Sequence, residues 1–144
     1  MKINHLTTSG LIFALCCASF TVHAKDDRVR MQCRADSSDG ALSMKARFRE
    51  RVGKRARFKA SFEAAPGIGY RPDDVLQVRI DDNTVGWVTL DVTANGDIGG
   101  EMKFDTNIDR DEPDTTQGFP ANWPGVDAGT IVEVGAMGCS LQHR

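Results

Sequence analysis

The chain has 144 residues, 40% of them hydrophobic, 26% charged and 7% aromatic, with a formal net charge of −2. Those values describe a soluble globular protein and exclude collagen-like, low-complexity and polytopic membrane chains. Near-neutral balance also gives the chain as a whole little pull toward nucleic acid.

Residues 1–24 read as a secretory signal peptide. Lys2 gives a positive start, residues 11–22 are apolar, and Val22-His23-Ala24 is a small-x-small cleavage site ahead of a charged run. The apolar run is too short to span a bilayer. Lipidation at Cys16 or Cys17 is an alternative, although neither follows the small residue that lipidation prefers; an uncleaved anchor is another. Cleavage after Ala24 leaves one domain, 25–144, periplasmic or secreted, with no transmembrane segment. That domain keeps two cysteines, Cys33 and Cys139. In an oxidising compartment an even pair near the two ends reads as one disulfide, with two free thiols as the alternative. It would close a loop of about 100 residues, worth about 4–5 kcal/mol through the unfolded state.

From Arg28 the pattern is period two. Val29, Met31 and Cys33 alternate with Arg28, Arg30 and Arg34. Leu42, Met44, Ala46 and Phe48 alternate with Lys45, Arg47 and Arg49. After the Gly53-Lys54 turn, Phe58, Ala60 and Phe62 alternate with Arg57 and Lys59. Such spacing marks strands with one buried face. A connection rich in Pro and Gly follows. Leu76, Val78 and Ile80 then form a strand, and Asp81-Asp82-Asn83 turns it. The next strand places Val88, Leu90 and Val92 inward and Trp87 outward or into a second layer. Asn95-Gly96 is a two-residue hairpin signal before a return strand with Met102 and Phe104. Residues 106–129 read as a long polar loop, and two last strands carry Val132, Val134, Cys139 and Leu141 inward. The reading is all-β: an antiparallel β-sandwich or small closed barrel of about eight strands with one disulfide.

Charge is divided along this pattern. Residues 25–60 hold 12 Lys/Arg and 5 Asp/Glu, whereas residues 61–144 hold 5 Lys/Arg and 15 Asp/Glu. The polar side of the first three strands gathers Arg28, Arg30, Arg34, Lys45, Arg47, Arg49, Arg57 and Lys59. Such a face could hold lipopolysaccharide, another anionic glycan, or an acidic envelope or extracellular protein; the alternative is a solvated face partly balanced by the acidic half.

Catalytic chemistry is sparse. The only mature histidine is His143, so no Ser/His/Asp or Cys/His set can form in the body of the domain. Carboxylate pairs remain, but the acids lie mostly in turns, and the expectation is a protein that is not an enzyme. Asp105, Asn107, Asp109 and Asp111 place oxygen ligands at alternate positions, like the start of a calcium loop. Arg110 and Thr116 then break that pattern, which leaves a solvated acidic loop as the competing reading. No other cofactor is suggested. Phe119 and Trp123, beside prolines, could form a stacking platform for sugar rings or plug the open end of the fold; Trp87 is a further contact candidate.

Two resemblances add to this. The segment 75–135 resembles a type of small secreted bacterial β-domain of unassigned function, through VGWVTLDV at 85–92, GGEMKFDT at 99–106, FPANWP at 119–124 and AGTIVEVG at 128–135. It implies a β-rich exported fold and nothing catalytic. MQCR at 31–34 and GCSLQ at 138–142 resemble the periplasmic inhibitors of c-type lysozyme. That resemblance implies a small β-barrel with bridged terminal cysteines and a loop inserted into the enzyme's cleft. The family's Ser-Gly-x-x-Tyr loop motif has its nearest counterpart in Gly67, Gly69 and Tyr70, without the Ser. The expected role is therefore an exported, non-enzymatic binding or structural β-domain at the bacterial envelope, or alternatively a periplasmic inhibitor of a hydrolase such as lysozyme.

Overall fold

The alternation through 28–64 becomes three long strands, β1 (Arg28–Asp36), β2 (Leu42–Arg51) and β3 (Arg55–Ala64). The chain continues through β4 (Val75–Ile80), β5 (Asn83–Thr89), β6 (Asp91–Val92), β7 (Ile98–Asp105), β8 (Thr116–Gln117), β9 (Ile131–Val134), β10 (Met137–Ser140) and β11 (Gln142–His143). The computed structural model describes residues 27–108 and 116–144. The expected export signal lies outside the described residues, as do Asp109 and Asp111. Two-residue strands β6, β8 and β11 account for the difference from the eight expected.

One sheet has the order β11-β1-β2-β3-β7-β6, with β8 added parallel to β7. The other has the order β10-β9-β4-β5, and every remaining pairing is antiparallel. The sheets do not close into a barrel, which decides the sequence alternative in favour of the sandwich. Their inner faces meet in one core, in which Met44, Phe58 and Phe62 of the larger sheet share a cluster with Val78, Ile80, Val88, Val132 and Val134 of the smaller. Among the described residues no helix is long and apolar enough to cross a membrane.

Although no barrel forms, the chain itself joins the sheets at both edges. Leu90 lies between β5 of one sheet and β6 of the other, and Leu141 lies between β10 and β11. Both leucines are almost fully buried. The first corner requires a close approach: a Cβ on Gly100 would collide with the backbone carbonyl of Thr89 and meet Val88 at 2.7 Å. This corner corrects one expectation. Val92 lies beyond it at the sheet edge and is exposed, although the alternation placed it inward.

Turn chemistry sets the hairpins. Asp81 and Asp82 both adopt left-handed backbone (φ 44° and 67°) in a two-residue turn between Ile80 and its partner Asn83. Aspartate tolerates that region better than most residues. The Asn95-Gly96 turn is one residue longer than expected: Thr93 N–H donates to the Asp97 carbonyl, Gly96 N–H donates to the Thr93 carbonyl, and only Gly96 is left-handed. That is the three-residue hairpin solution rather than the two-residue one.

The disulfide is present. Cys33 and Cys139 are bridged, with an S–S distance of 2.05 Å and Cα atoms 5.7 Å apart. Since β1 and β10 belong to different sheets, the bridge staples the sandwich beside the Leu141 corner. It closes a sequence separation of 106, worth about 4–5 kcal/mol in the chain-entropy description.

Candidate functional site, a cationic sheet face

Strand register turns the basic positions into rows across β1, β2, β3 and β7. Arg28, Arg51 and Arg55 form one row, and Arg30, Arg49, Arg57 and Asp105 the next. Then come Gln32, Arg47, Lys59 and Lys103, followed by Arg34, Lys45, Ser61 and Glu101. Each row is reached by stepping two residues along every strand, so all project from the face opposite the core. The structure thus brings together the candidates Arg30, Lys45, Arg47, Arg49, Arg57 and Lys59 on one surface. It adds Arg51, Arg55 and Lys103.

Carboxylates on this face are few; Asp105, Glu101 and Asp36 are engaged by its cations, and Glu63 lies exposed at the far end opposite Ser43. Asp105 is 3% exposed because its neighbours surround it. Arg55 donates to it twice, Nε to Oδ1 at 2.8 Å and Nη2 to Oδ2 at 2.7 Å. Arg57 Nε donates to Oδ2 at 2.6 Å, and the Asn107 amide donates to Oδ1 at 2.9 Å. Arg55 Nη2 also reaches the Asn107 carbonyl at 2.9 Å. Burial pushes the Asp105 carboxyl up, but Arg55, the Asn107 amide and Arg57 outweigh it and hold the pKa down at about 2. Glu101 accepts from Lys103 Nζ at 2.8 Å and from Lys59. Burial raises its pKa too, and the two lysines overcome this and keep it below the usual carboxylate range. At the other end Arg34 is forked onto Asp36 at 2.7–3.0 Å. Arg30, Arg49 and Arg51 are exposed and have no carboxylate partner among the described residues.

At the β2–β3 hairpin end, the first two rows surround an open depression of about 200 Å³. Its lining is Arg28, Arg30, Arg49, Arg51, Arg55 and Arg57, with Val29 and Glu50.

The remaining candidates fall elsewhere. Phe119 and Trp123 pack into the open end of the core: Trp123 lies 5.1 Å from Phe58, 5.8 Å from Phe104 and 4.8 Å from Phe119, centroid to centroid. They take the plugging position. Asn122 anchors the segment by donating to the Thr84 carbonyl at 3.0 Å. Trp87 is 62% exposed on the outer side of the smaller sheet, away from the cationic face. Tyr70 is half-buried with its ring 4.9 Å from Phe62, while Gly67 and Gly69 are exposed and left-handed. Of the candidate calcium ligands, Asp105 and Asn107 are bound to arginine as described. A carboxylate shared by two guanidiniums has little charge left for a divalent cation. Among the described residues no group of three or more His, Cys, Asp or Glu is placed to hold a metal ion.

Arg51 and Arg55 are the lining residues that strand assignment from sequence omitted. The signal was present, because they continue the parity of Arg49 and Arg57 to either side of the turn. Comparison of the chain with protein-family models, with curated proteins and with solved structures finds no match.

Proposed function

We propose that this protein is an exported, non-enzymatic binding domain of the bacterial envelope that holds an anionic partner on the outer face of β1, β2 and β3. The observation that carries the reading is the cross-strand row structure: cation stands opposite cation in Arg28–Arg51, Arg30–Arg49 and Arg34–Lys45, and again in Arg49–Arg57 and Arg47–Lys59. Like charges directly opposite one another destabilise a sheet. A fold that only needed solubility would intersperse signs, as the Arg79–Glu133 pair does on the smaller sheet at 2.9 Å. A face on which cations outnumber carboxylates this heavily instead produces a field that attracts polyanions. The export signal read at 1–24 and the Cys33–Cys139 bridge fit a periplasmic or secreted location, where anionic glycans and acidic surface proteins are the available partners.

Retention on a heparin-like resin tests this. The purified protein is expected to be held at low ionic strength and released as added salt shortens the screening length. Flow-through at low salt, or retention that ignores salt, overturns the reading.

A further inference from the structure

The cationic face is not uniform, and the inference that follows rests on the reading just given. The rows at the middle and far end mix Lys45, Lys59 and Lys103 with Arg47 and Arg34, whereas around the depression at the hairpin end, below Lys54 of the turn itself, every cation in the two adjacent rows is arginine. We propose that this depression is a binding site for a phosphomonoester group.

Side-chain chemistry supports it first. A guanidinium is a planar fork that pairs bidentately with phosphate oxygens, while an ammonium acts as a point charge. A face that only attracted polyanions would be served equally by lysine at these positions. Preorganisation is the second support. Arg55 and Arg57 are both fixed by Asp105, so part of the ordering cost of binding is met before any ligand arrives. Arg49 and Arg51 of β2 stand across the register from them and are exposed to an incoming group. Size is the third. A depression of about 200 Å³ is smaller than the roughly 300–1,000 Å³ typical of drug-sized ligands, so it suits one anionic group and not a whole sugar or nucleoside. Charge is the fourth. Of the lining arginines, Arg30, Arg49 and Arg51 have no carboxylate partner among the described residues. A monovalent carboxylate would leave most of that excess in place, whereas a phosphomonoester brings about −1.5 to −2 and three acceptor oxygens. Inorganic phosphate, a phosphorylated sugar and a lipid headgroup share this chemistry.

Calorimetric titration of the purified protein at 0.15 M salt, with inorganic phosphate and with acetate at equal ionic strength, reads the site. Phosphate is expected to bind one to one, with acetate at least about tenfold weaker. Arg49→Gln/Arg51→Gln is expected to weaken phosphate by about tenfold or more, through loss of charge-assisted hydrogen bonds. Arg34→Gln/Lys45→Gln removes the same charge four residues along the strands from Arg30 and Arg49. That is about 13 Å, beyond the Debye length of about 8 Å, so phosphate affinity should change less than about twofold. Arg49→Lys/Arg51→Lys keeps charge and heparin retention but loses the forks, and should bind phosphate several-fold more weakly. Equal losses in the two glutamine doubles, or undiminished phosphate affinity in the lysine double, overturn the site while leaving the cationic-face reading intact; absence of heparin retention in the unmodified protein overturns that reading separately. Sedimentation with phosphatidic acid vesicles in preference to phosphatidylglycerol vesicles assigns a lipid source. Competition by glucose 6-phosphate without vesicle binding assigns a soluble one. Either supports the site, phosphate binding with neither assigns inorganic phosphate itself, and absence of phosphate binding overturns it.

Discussion

Asp105 is the point at which stability and the candidate site depend on the same atoms. Its carboxyl is held at about 2, against 3.8 for an ordinary aspartate, so the folded state favours the ionised form. For a depressed pKa the stabilisation is complete above the unfolded value and is lost as pH falls through 3.8 toward 2. A difference of nearly two pKa units corresponds to about 2 kcal/mol at pH 7, falling to about 1 kcal/mol at pH 3 and well below 1 kcal/mol at pH 2. Asp105→Asn removes the charge while keeping an oxygen that can still accept from the Asn107 amide. The variant should therefore lose about 2–3 kcal/mol at pH 7, because Arg55 and Arg57 lose their anion. Its stability should converge with that of the parent as pH approaches 2. Urea unfolding at several pH values between 2 and 7, with the disulfide intact, measures both. A stability difference that stays constant down to pH 2 would refute the electrostatic account and make Asp105 a packing residue.

Two further perturbations test the fold around the site. Gly100→Ala drives a methyl into the Thr89 carbonyl at the Leu90 corner and should cost about 3 kcal/mol or more. Gly96→Ala meets open space but keeps a left-handed backbone (φ 87°), and should cost about 1 kcal/mol. Urea midpoints that rank them the other way would contradict the corner geometry. Trp123→Ala removes a ring packed against Phe48, Phe58, Phe104 and Phe119 and should cost about 2–3 kcal/mol, whereas Trp87→Ala should stay within about 0.5 kcal/mol. In single-tryptophan variants acrylamide should quench Trp87 strongly and Trp123 weakly, and equal quenching would place Trp123 outside the core.

The long strands were legible because one physical requirement, burying one face of each, writes itself into the sequence at period two. Phe58, Ala60 and Phe62 alternate with Arg57 and Lys59, and the structure needs no other signal to place them. The Cys33–Cys139 bridge was legible from the even number of cysteines left in 25–144 and their place near its two ends, given an expected oxidising compartment. The corners were not. Val88, Leu90 and Val92 look like one strand, since the change of sheet at Leu90 is made by Gly100, ten residues away in sequence and packed against that corner only once β7 has formed. The site was half legible: parity placed the cations on one face, but register assembled them into rows. Asp105 was read with its acidic neighbours as a possible metal ligand. Its guanidinium partners lie 50 and 48 residues earlier, beyond the reach of any local pattern.

The placement of the disulfide follows from the charge on the face. β1 is the weakest-held of the three basic strands, flanked on one side by β2 and on the other only by the two-residue β11. Toward β2 it presents Arg28, Arg30 and Arg34 to Arg51, Arg49 and Lys45, so its outer side repels the strand on which it depends. On its inner side Met31 and Cys33 are buried, while Val29 and Ala35 are only partly so. The covalent bridge leaves from Cys33, in the middle of the strand, and ties it to the opposite sheet, where no cationic row opposes it. A predominantly cationic face is thereby carried without its outermost long strand peeling away. On the function proposed above, an anionic partner that neutralised this repulsion would add stability by linkage, and the charges that oppose one another across the strands would be the ones that attract it.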